Sequence, residues 1–275
     1  MTETFSNTWL KVEVRDGCKF TIGPDAHSRI SRGGALSEYL VKSGGEAEFG
    51  GTYHLKNIKI ENQAGGTFTI DPVAFNYDYY AREGDGTYPR TLDNSGTFNF
   101  PNGFDLSAPA TFPSDYTQDP PVLQIRQNAG TMTFGGDFTC SAAPGKMTFT
   151  LNGGALVAND SLTFAGITSL TMPSATTATL EVAPGKTVDW ANATFAAGTT
   201  LAKTGDGTLV LGEAAPSTLN VPAGIIRTAR ATQFNTLAMS AGTTLEIASA
   251  GVVLNALPGY VDIDFAVDAT ALVVG

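Results

Sequence analysis

Short runs in which apolar and polar residues alternate recur along most of this chain, and a glycine opens many of them. The repeated phrase occurs at Gly66-Thr67-Phe68-Thr69-Ile70, Gly96-Thr97-Phe98-Asn99-Phe100, Gly130-Thr131-Met132-Thr133-Phe134, Gly207-Thr208-Leu209-Val210-Leu211 and Gly242-Thr243-Thr244-Leu245-Glu246-Ile247. Period-two alternation is typical of half-buried strands, and the glycine marks the turn that feeds each strand. Its recurrence over 275 residues favours stacked β coils over a compact enzyme core.

The first 64 residues contain further alternating runs. Residues 9–14 and 19–22 are predicted strands on either side of a turn at Asp16-Gly17, and residues 53–60 alternate again. Residues 35–42 fit either a short helix or another strand. We expect segment 1–64 to hold the N-terminal strands and a cap, because the open end of a coil stack exposes strand edges and core.

Two long segments, residues 71–94 and 101–121, interrupt the alternation. Asp71-Pro72 is predicted to end a strand, and the second segment contains five prolines. The glycines of the flanking phrases, Gly66, Gly96 and Gly130, are 30 and 34 residues apart. If each step is one coil, both insertions leave the stack at the same corner and lie on top of each other. Segment 65–128 is therefore assigned to coils with long inserted loops, which is where solenoids usually carry their function.

From residue 129 onward the loops shorten, and we assign 129–275 to regular coils. Strand starts follow one another at roughly 8–12 residues, a spacing that taken alone also suits a β-sandwich or barrel. The segment Leu201-Ala202-Lys203-Thr204-Gly205-Asp206-Gly207-Thr208-Leu209-Val210-Leu211 is the clearest. It resembles the autotransporter-associated β-strand repeat, whose core reads Leu-x-Lys-x-Gly-x-Gly-x-Leu-x-Leu. The second half of that repeat is matched by Thr218, Val221, Gly224, Ile225 and Ile226.

The resemblance covers about residues 198 to 227. It implies a right-handed parallel β-helix, a place in exported bacterial surface proteins, and no catalytic residues. In such a coil we expect Leu209, Leu211, Leu219 and Val221 to point inward. Outward positions suit threonine, whose branched side chain fits a pleated surface.

Composition limits the partners. The net charge is −10 and the pI is about 4.6, so the surface repels nucleic-acid phosphates, and we expect no nucleic-acid partner. No apolar run is long enough to span a membrane, so we expect no membrane insertion within this chain. The N-terminal residues lack the features of a signal peptide, and we expect the chain to be a piece of a longer protein. The resemblance to the autotransporter-associated repeat implies an extracellular location or one at the bacterial cell surface.

Few residues offer metal or redox chemistry. Cys18 and Cys140 have no neighbour at metal or redox spacing, and the residues leave a disulfide or two buried thiols open, with the thiols favoured. His27 and His54 are far apart in sequence, and no zinc-binding spacing occurs. The Gly205-Asp206-Gly207 sequence lacks the partners of a phosphate loop or a calcium repeat and is interpreted as a turn. We therefore expect no cofactor.

The first insertion contains the densest group of aromatic and polar side chains. Aromatic faces stack on sugars and anchor protein interfaces, while carboxylates and guanidinium groups bind hydroxyls. The predicted ligand-binding residues are Tyr77, Asp78, Tyr79, Tyr80, Arg82, Asp85 and Tyr88. The alternative is that these tyrosines pack the loop against the solenoid.

Parallel β-helices also include polysaccharide lyases and glycoside hydrolases, which need paired carboxylates or a base beside acidic calcium ligands. The candidates for such chemistry are Asp78, Glu83, Asp85, Asp105, Asp115 and Asp119 with Arg82 or Arg90. No spacing singles out a pair among them. The sequence thus favours a non-catalytic, adhesin-like segment of a parallel β-helix with two long inserted loops. Its expected partner is a glycan or a host or environmental surface protein.

Overall fold

The computed structural model describes residues 10–23, 27–29, 37–55, 58–77, 90–107, 122–141, 147–255, 262–265 and 272–274. Every regular element in these ranges is a β-strand. The first ten strands are β1 (Leu10–Val14), β2 (Lys19–Ile22), β3 (His27–Arg29), β4 (Ser37–Val41), β5 (Glu46–Leu55), β6 (Ile58–Asn62), β7 (Thr67–Tyr77), β8 (Arg90–Asn94), β9 (Thr97–Phe100) and β10 (Phe104–Ser107). The next ten are β11 (Leu123–Gln127), β12 (Thr131–Phe134), β13 (Phe138–Thr139), β14 (Met147–Leu151), β15 (Gly154–Ala158), β16 (Leu162–Ala165), β17 (Ser169–Met172), β18 (Thr177–Val182), β19 (Thr187–Trp190) and β20 (Ala193–Phe195). The last ten are β21 (Thr200–Thr204), β22 (Thr208–Leu211), β23 (Thr218–Val221), β24 (Ile225–Thr228), β25 (Gln233–Phe234), β26 (Thr236–Met239), β27 (Thr244–Ile247), β28 (Val252–Leu254), β29 (Asp262–Phe265) and β30 (Leu272–Val274).

The chain divides into two compact units. Unit 1 comprises Met1–Met132, Asp137–Phe149 and Ala165–Thr168, and unit 2 comprises Thr133–Gly136, Thr150–Phe164 and Ser169–Gly275. In unit 1 each coil contributes to three parallel sheets. Sheet A runs β1-β4-β6-β8-β11, sheet B runs β2-β5-β7-β9, and sheet C runs β3-β5-β7-β10-β13. The long strands β5 and β7 bend through the corner and so belong to both sheet B and sheet C.

Unit 2 repeats the same path. Its sheet B runs β15-β18-β21-β23-β26, and its sheet C runs β16-β19-β22-β24-β27-β29. The third sheet of unit 2 is formed by β17-β20 and, further along the chain, by β25-β28-β30. Strands that pair in parallel and return in register after each turn of the chain define a parallel β-helix, so the prediction of an all-β parallel β-helix is confirmed, while its right hand stays a prediction.

The glycine-threonine phrases of unit 1 lie above one another at a single corner. The amide of Thr97 donates to Gly66 O at 2.9 Å, and the amide of Thr131 donates to Gly96 O at 2.8 Å. A side chain at Gly96 or Gly130 would collide with the glycine carbonyl of the coil beneath, which is why this corner excludes larger residues. In unit 2 the phrase occupies another corner, where Ile225 N donates to Gly207 O at 3.1 Å.

Apolar side chains fill the interior of each unit in columns. In unit 1, Phe68 and Phe98 are register partners whose rings stack with centroids 5.0 Å apart, and Phe49 packs edge-on against Phe68 at 4.7 Å. In unit 2 the residues expected to point inward, Leu209, Leu211, Leu219 and Val221, are all buried. The inward positions were therefore predicted correctly.

A ladder of buried amides lines the corner between sheets A and B of unit 1. Asn62 Nδ2 donates to Asn94 Oδ1 at 2.8 Å, and Asn94 Nδ2 donates to Gln127 Oε1 at 2.7 Å. Gln127 Nε2 closes the ladder on Ala129 O at 2.7 Å. These side chains also bind turn groups: Asn62 donates to Thr97 O at 2.8 Å, and Asn94 Oδ1 accepts from Gly96 N at 3.1 Å. The ladder satisfies corner groups that no strand reaches.

Of the two alternatives left open for residues 35–42, the structure shows the strand: β4 spans Ser37–Val41, and Tyr39 and Val41 are buried at period-two spacing. Two local predictions need correction. Asp71-Pro72 does not end a strand: β7 continues to Tyr77 across a register shift opposite Gly51, an irregularity at which proline is tolerated. β8 and β10 lie inside the predicted insertions, so the connections between described strands are 78–89 and 108–122.

Cys18 and Cys140, both in unit 1, are not joined by a disulfide bond. Cys140 is buried as expected, whereas Cys18 is exposed. The expectation of two buried thiols was therefore wrong for Cys18, which follows a turn and precedes β2.

Replacing Asn94 by leucine should break the amide ladder. The substitution removes the donor to Gln127 and the acceptor for Gly96 N, each a buried group whose loss of a partner costs about 1–3 kcal/mol. We expect a loss of roughly 2–4 kcal/mol of unfolding free energy, measured by urea titration followed by circular dichroism. The matched control is Asn99→Leu, since Asn99 faces outward with one bond of 3.3 Å to Thr69. An equal effect of both substitutions would contradict the role of the ladder.

Unit 1 should lose stability at high pH through Tyr39. Burial raises the pKa of this phenol from its ordinary value of 10.0 to about 12. Between these values the unfolded chain releases the proton first, so the free energy of unfolding falls as pH rises from 10 to 12. Tyr39→Phe should remove this part of the pH dependence in urea titrations at pH 9, 10 and 11. An unchanged slope in the variant would show that Tyr39 ionises normally in the folded protein.

Candidate functional site at the insertion corner

The two insertions leave and re-enter unit 1 at neighbouring points. Asn76, at the end of β7, is the register partner of Ser107, at the end of β10. Arg90, which begins β8, is the register partner of Leu123, which begins β11. The strand ends on both sides of the insertions are therefore in register on adjacent coils, and the stacking of the insertions themselves stays a prediction. In the coil before them, only residues 56–57 connect β5 to β6 at this corner.

The structure places one of the predicted ligand-binding residues. Tyr77 is the last residue of β7 and the register partner of Leu55, so it stands where the first insertion leaves the sheet. The other six, Asp78, Tyr79, Tyr80, Arg82, Asp85 and Tyr88, lie outside the described residues. Of the residues considered for polysaccharide cleavage, Asp105 and Arg90 are described.

Arg90 occupies an unexpected position. It is only 1% exposed, and its partner Leu123 is buried in the same inward column of sheet A. The guanidinium group of Arg90 therefore lies in the interior of unit 1, at the residue where the first insertion rejoins sheet A. The alternation Arg90-x-Leu92-x-Asn94 places it in phase with two buried residues, a signal that could have identified it.

Asp105 lies on the outer surface of sheet C beside the second insertion. Its carboxylate accepts hydrogen bonds from Thr139 Oγ1 at 2.7 Å, Ser141 N at 3.0 Å and Ser141 Oγ at 2.5 Å. It therefore ties β10 to the end of β13, one coil further on. A second exposed link, from Asn102 Nδ2 to Asp71 Oδ1 at 2.7 Å, joins the coils of β7 and β9.

An ion pair braces the two strands that receive the insertions. Arg126 Nη2 donates to Asp93 Oδ2 at 3.1 Å across β11 and β8. Arg126 Nε approaches Asp93 Oδ1 to 2.7 Å without hydrogen-bond alignment, so this second approach is an ion-pair contact only. Together with the Asn94–Gln127 link on the inner face, the pair holds β8 and β11 on both sides.

Within the described ranges no group of three or more His, Cys, Asp or Glu side chains could hold a metal ion. Those ranges also contain no helix with the length and apolar character needed to cross a membrane. Comparison with protein-family models, with curated proteins and with solved structures gives no match for this chain. The described residues of the corner are thus paired strand ends, and six of the predicted ligand-binding residues lie in the segment that follows Tyr77.

Proposed function

We propose that this chain is a non-catalytic, adhesin-like scaffold from an exported bacterial surface protein, and that its two insertions form one contact surface. The observation that supports this most strongly is the register at the corner. Asn76 pairs with Ser107, and Arg90 pairs with Leu123, so both insertions start and finish on adjacent strands. Binding loops carried by a rigid scaffold are the usual arrangement for recognition.

The assignment to the autotransporter-associated repeat is part of this proposal. Its support is the way the motif maps onto one coil of unit 2. Leu201, Leu209 and Leu211 are fully buried, while Lys203 reaches the turn containing Gly205. The motif leucines therefore fill the core of a parallel coil and the motif lysine bonds to its turn, as expected for a repeat that builds a solenoid. A bacterial cell-surface or extracellular location belongs to the same proposal.

The composition of the insertions favours a neutral glycan or a protein as the partner. Segments 78–89 and 108–121 contain five carboxylates against one guanidinium group, together with Tyr79, Tyr80, Tyr88, Phe112 and Tyr116. A surface of this charge repels uronate, sulfate and sialate groups, whereas aromatic rings stack on uncharged sugar faces. Neutral polysaccharide is therefore the first ligand class to test.

The enzymatic alternative has little support from the described residues. The Asp105 carboxylate is engaged by Thr139 and Ser141, and Arg90 is buried. The remaining acidic candidates lie in the insertions. No observation of the structure favours cleavage over binding, so the scaffold function is preferred.

A glycan array with paired neutral and anionic polysaccharides tests the proposal directly. We expect wild-type protein to bind neutral glycans and Tyr79→Ala/Tyr80→Ala to lose at least tenfold in affinity, because each ring supplies stacking area. The matched control is Thr177→Ala/Thr236→Ala, which removes two exposed side chains from unit 2.

Retention of binding by the tyrosine double variant would exclude the tyrosine cluster as the contact. The same proteins should be incubated with a broad polysaccharide panel. Cleavage that disappears in Asp78→Asn or Asp115→Asn would replace the scaffold function by the enzymatic one.

A further inference from the structure

A buried lysine interrupts the apolar interior of unit 2. Lys203, in β21, is the register partner of Leu180, and its residue surface is 0% exposed. Its Nζ donates to Gly205 O in its own turn, and to Ala223 O, in the turn of the next coil, at 3.1 Å. One amine thus joins two successive turns of the solenoid. Burying a lone charge is costly, and the two backbone carbonyl oxygens that accept from the Lys203 amine offset part of that cost.

The turn of the next coil is built around this amine. Gly224 has a φ of +83°, and a side chain there would meet Lys203 Nζ and lie 2.5 Å from both Gly205 O and Gly207 O. The close approach therefore needs glycine on one side and lysine on the other. These two positions, Lys203 and Gly224, both belong to the repeat-like segment.

This contact coincides with a weak place in the coil stack. The coil that begins at Thr200 contains fewer residues than the coil that begins at Thr177, because Thr177 pairs with Thr200 and Thr200 pairs with Thr218. Residues 212–217, which follow β22, form no strand. The third sheet of unit 2 therefore lacks a strand between β20 and β25. The β21–β23 ladder has three register pairs, against five between β18 and β21 and four between β23 and β26.

We propose that Lys203 is a staple that holds this junction closed, and that unit 2 opens at the junction when the staple is removed. Solenoid stability is a sum over neighbouring coils, so an interface with fewer links separates more easily than its neighbours. The staple adds cross-coil bonds at the turn between sheets B and C, in a coil whose third sheet is interrupted after β22.

The charge of the staple fits this position. Burial lowers the pKa of Lys203 to about 8, and Asp206, the charged group that acts on it, opposes the shift. Below pH 8 the Lys203 side chain is an ammonium group, and its burial costs desolvation free energy. Above pH 8 the amine is neutral and still has two N–H groups that donate to the two carbonyl oxygens. The unfolded chain binds more protons between this pKa and the ordinary lysine value of 10.5, so the free energy of unfolding should increase as pH rises through that window.

Native-state hydrogen exchange of Lys203→Met tests the proposal. The variant keeps the length of the side chain but lacks its donors. We expect the amides of Thr218 and Ile225, which bond to Thr199 O and Gly207 O, to exchange at least tenfold faster. Amides of β18 and β19 should be unchanged. The matched control is Lys186→Met, because Lys186 makes an exposed bond of 2.7 Å to Asp160 Oδ1 within the same unit.

An acceleration spread evenly over unit 2, or none at Thr218 and Ile225, would overturn the proposal. If Lys203→Met does not fold, wild-type protein in sub-denaturing urea decides. Joint exchange of residues 218–255 before β18 and β19 would support the staple junction, and simultaneous exchange of all of these would exclude it.

Discussion

Parallel registration of each coil on the one beneath it is the constraint on which the rest of this structure depends. Once Thr67 pairs with Thr97, the alternation of side chains decides which residues face inward along the entire strand. Columns such as Phe68 over Phe98 follow directly, and so do the outward links between coils, such as Arg126 to Asp93. The insertions acquire a common corner for the same reason. The proposed contact surface, formed by two distant segments, would thus depend on backbone register.

Turns are where this constraint is hardest to satisfy, because strands pair along their length and leave corner groups unmatched. Unit 1 meets the need with neutral amides, and Asn62, Asn94 and Gln127 each bond to the backbone of a turn as well as to one another. Unit 2 uses a charged side chain, Lys203, for a comparable purpose. Asn62 Oδ1 accepts no hydrogen bond from the described residues, since Val41 takes the next position in the column. The ladder therefore has a defined lower end.

Much of the fold could be predicted because alternation and glycine turns are local signals. The strands at 66–70 and 96–100, their step, and the shared corner all follow from these signals. The sequence did not show that Gly96 and Gly207 lie at different corners of the coil. A glycine-threonine turn does not indicate which of the three sheets the next strand joins. The extension of β7 through Asp71-Pro72 was missed because it depends on a register shift against β5, a tertiary feature.

The polar interior was missed for a different reason. The sequence analysis assigned no place to Asn94 or Gln127 and considered Arg90 as a candidate for cleavage chemistry, although each stands in phase with buried neighbours such as Leu92 and Ile125. Extending the period-two pattern to polar residues at strand ends would have placed them inside. The predicted binding residues could be located only as a segment, because the strand register fixes where that segment starts and ends and does not fix its side chains.

Disulfide trapping of register partners tests the central claim most directly. In a background without Cys18 and Cys140, Thr69→Cys/Asn99→Cys joins outward positions that pair in register. Parallel neighbours stand about 4.8 Å apart, within the usual Cα separation of disulfides of about 4.4–6.8 Å. We predict rapid, near-complete oxidation of this pair and little for Thr67→Cys/Asn99→Cys, which is displaced by two residues. Equal oxidation of both pairs, or failure of the registered pair, would contradict parallel coil-on-coil stacking.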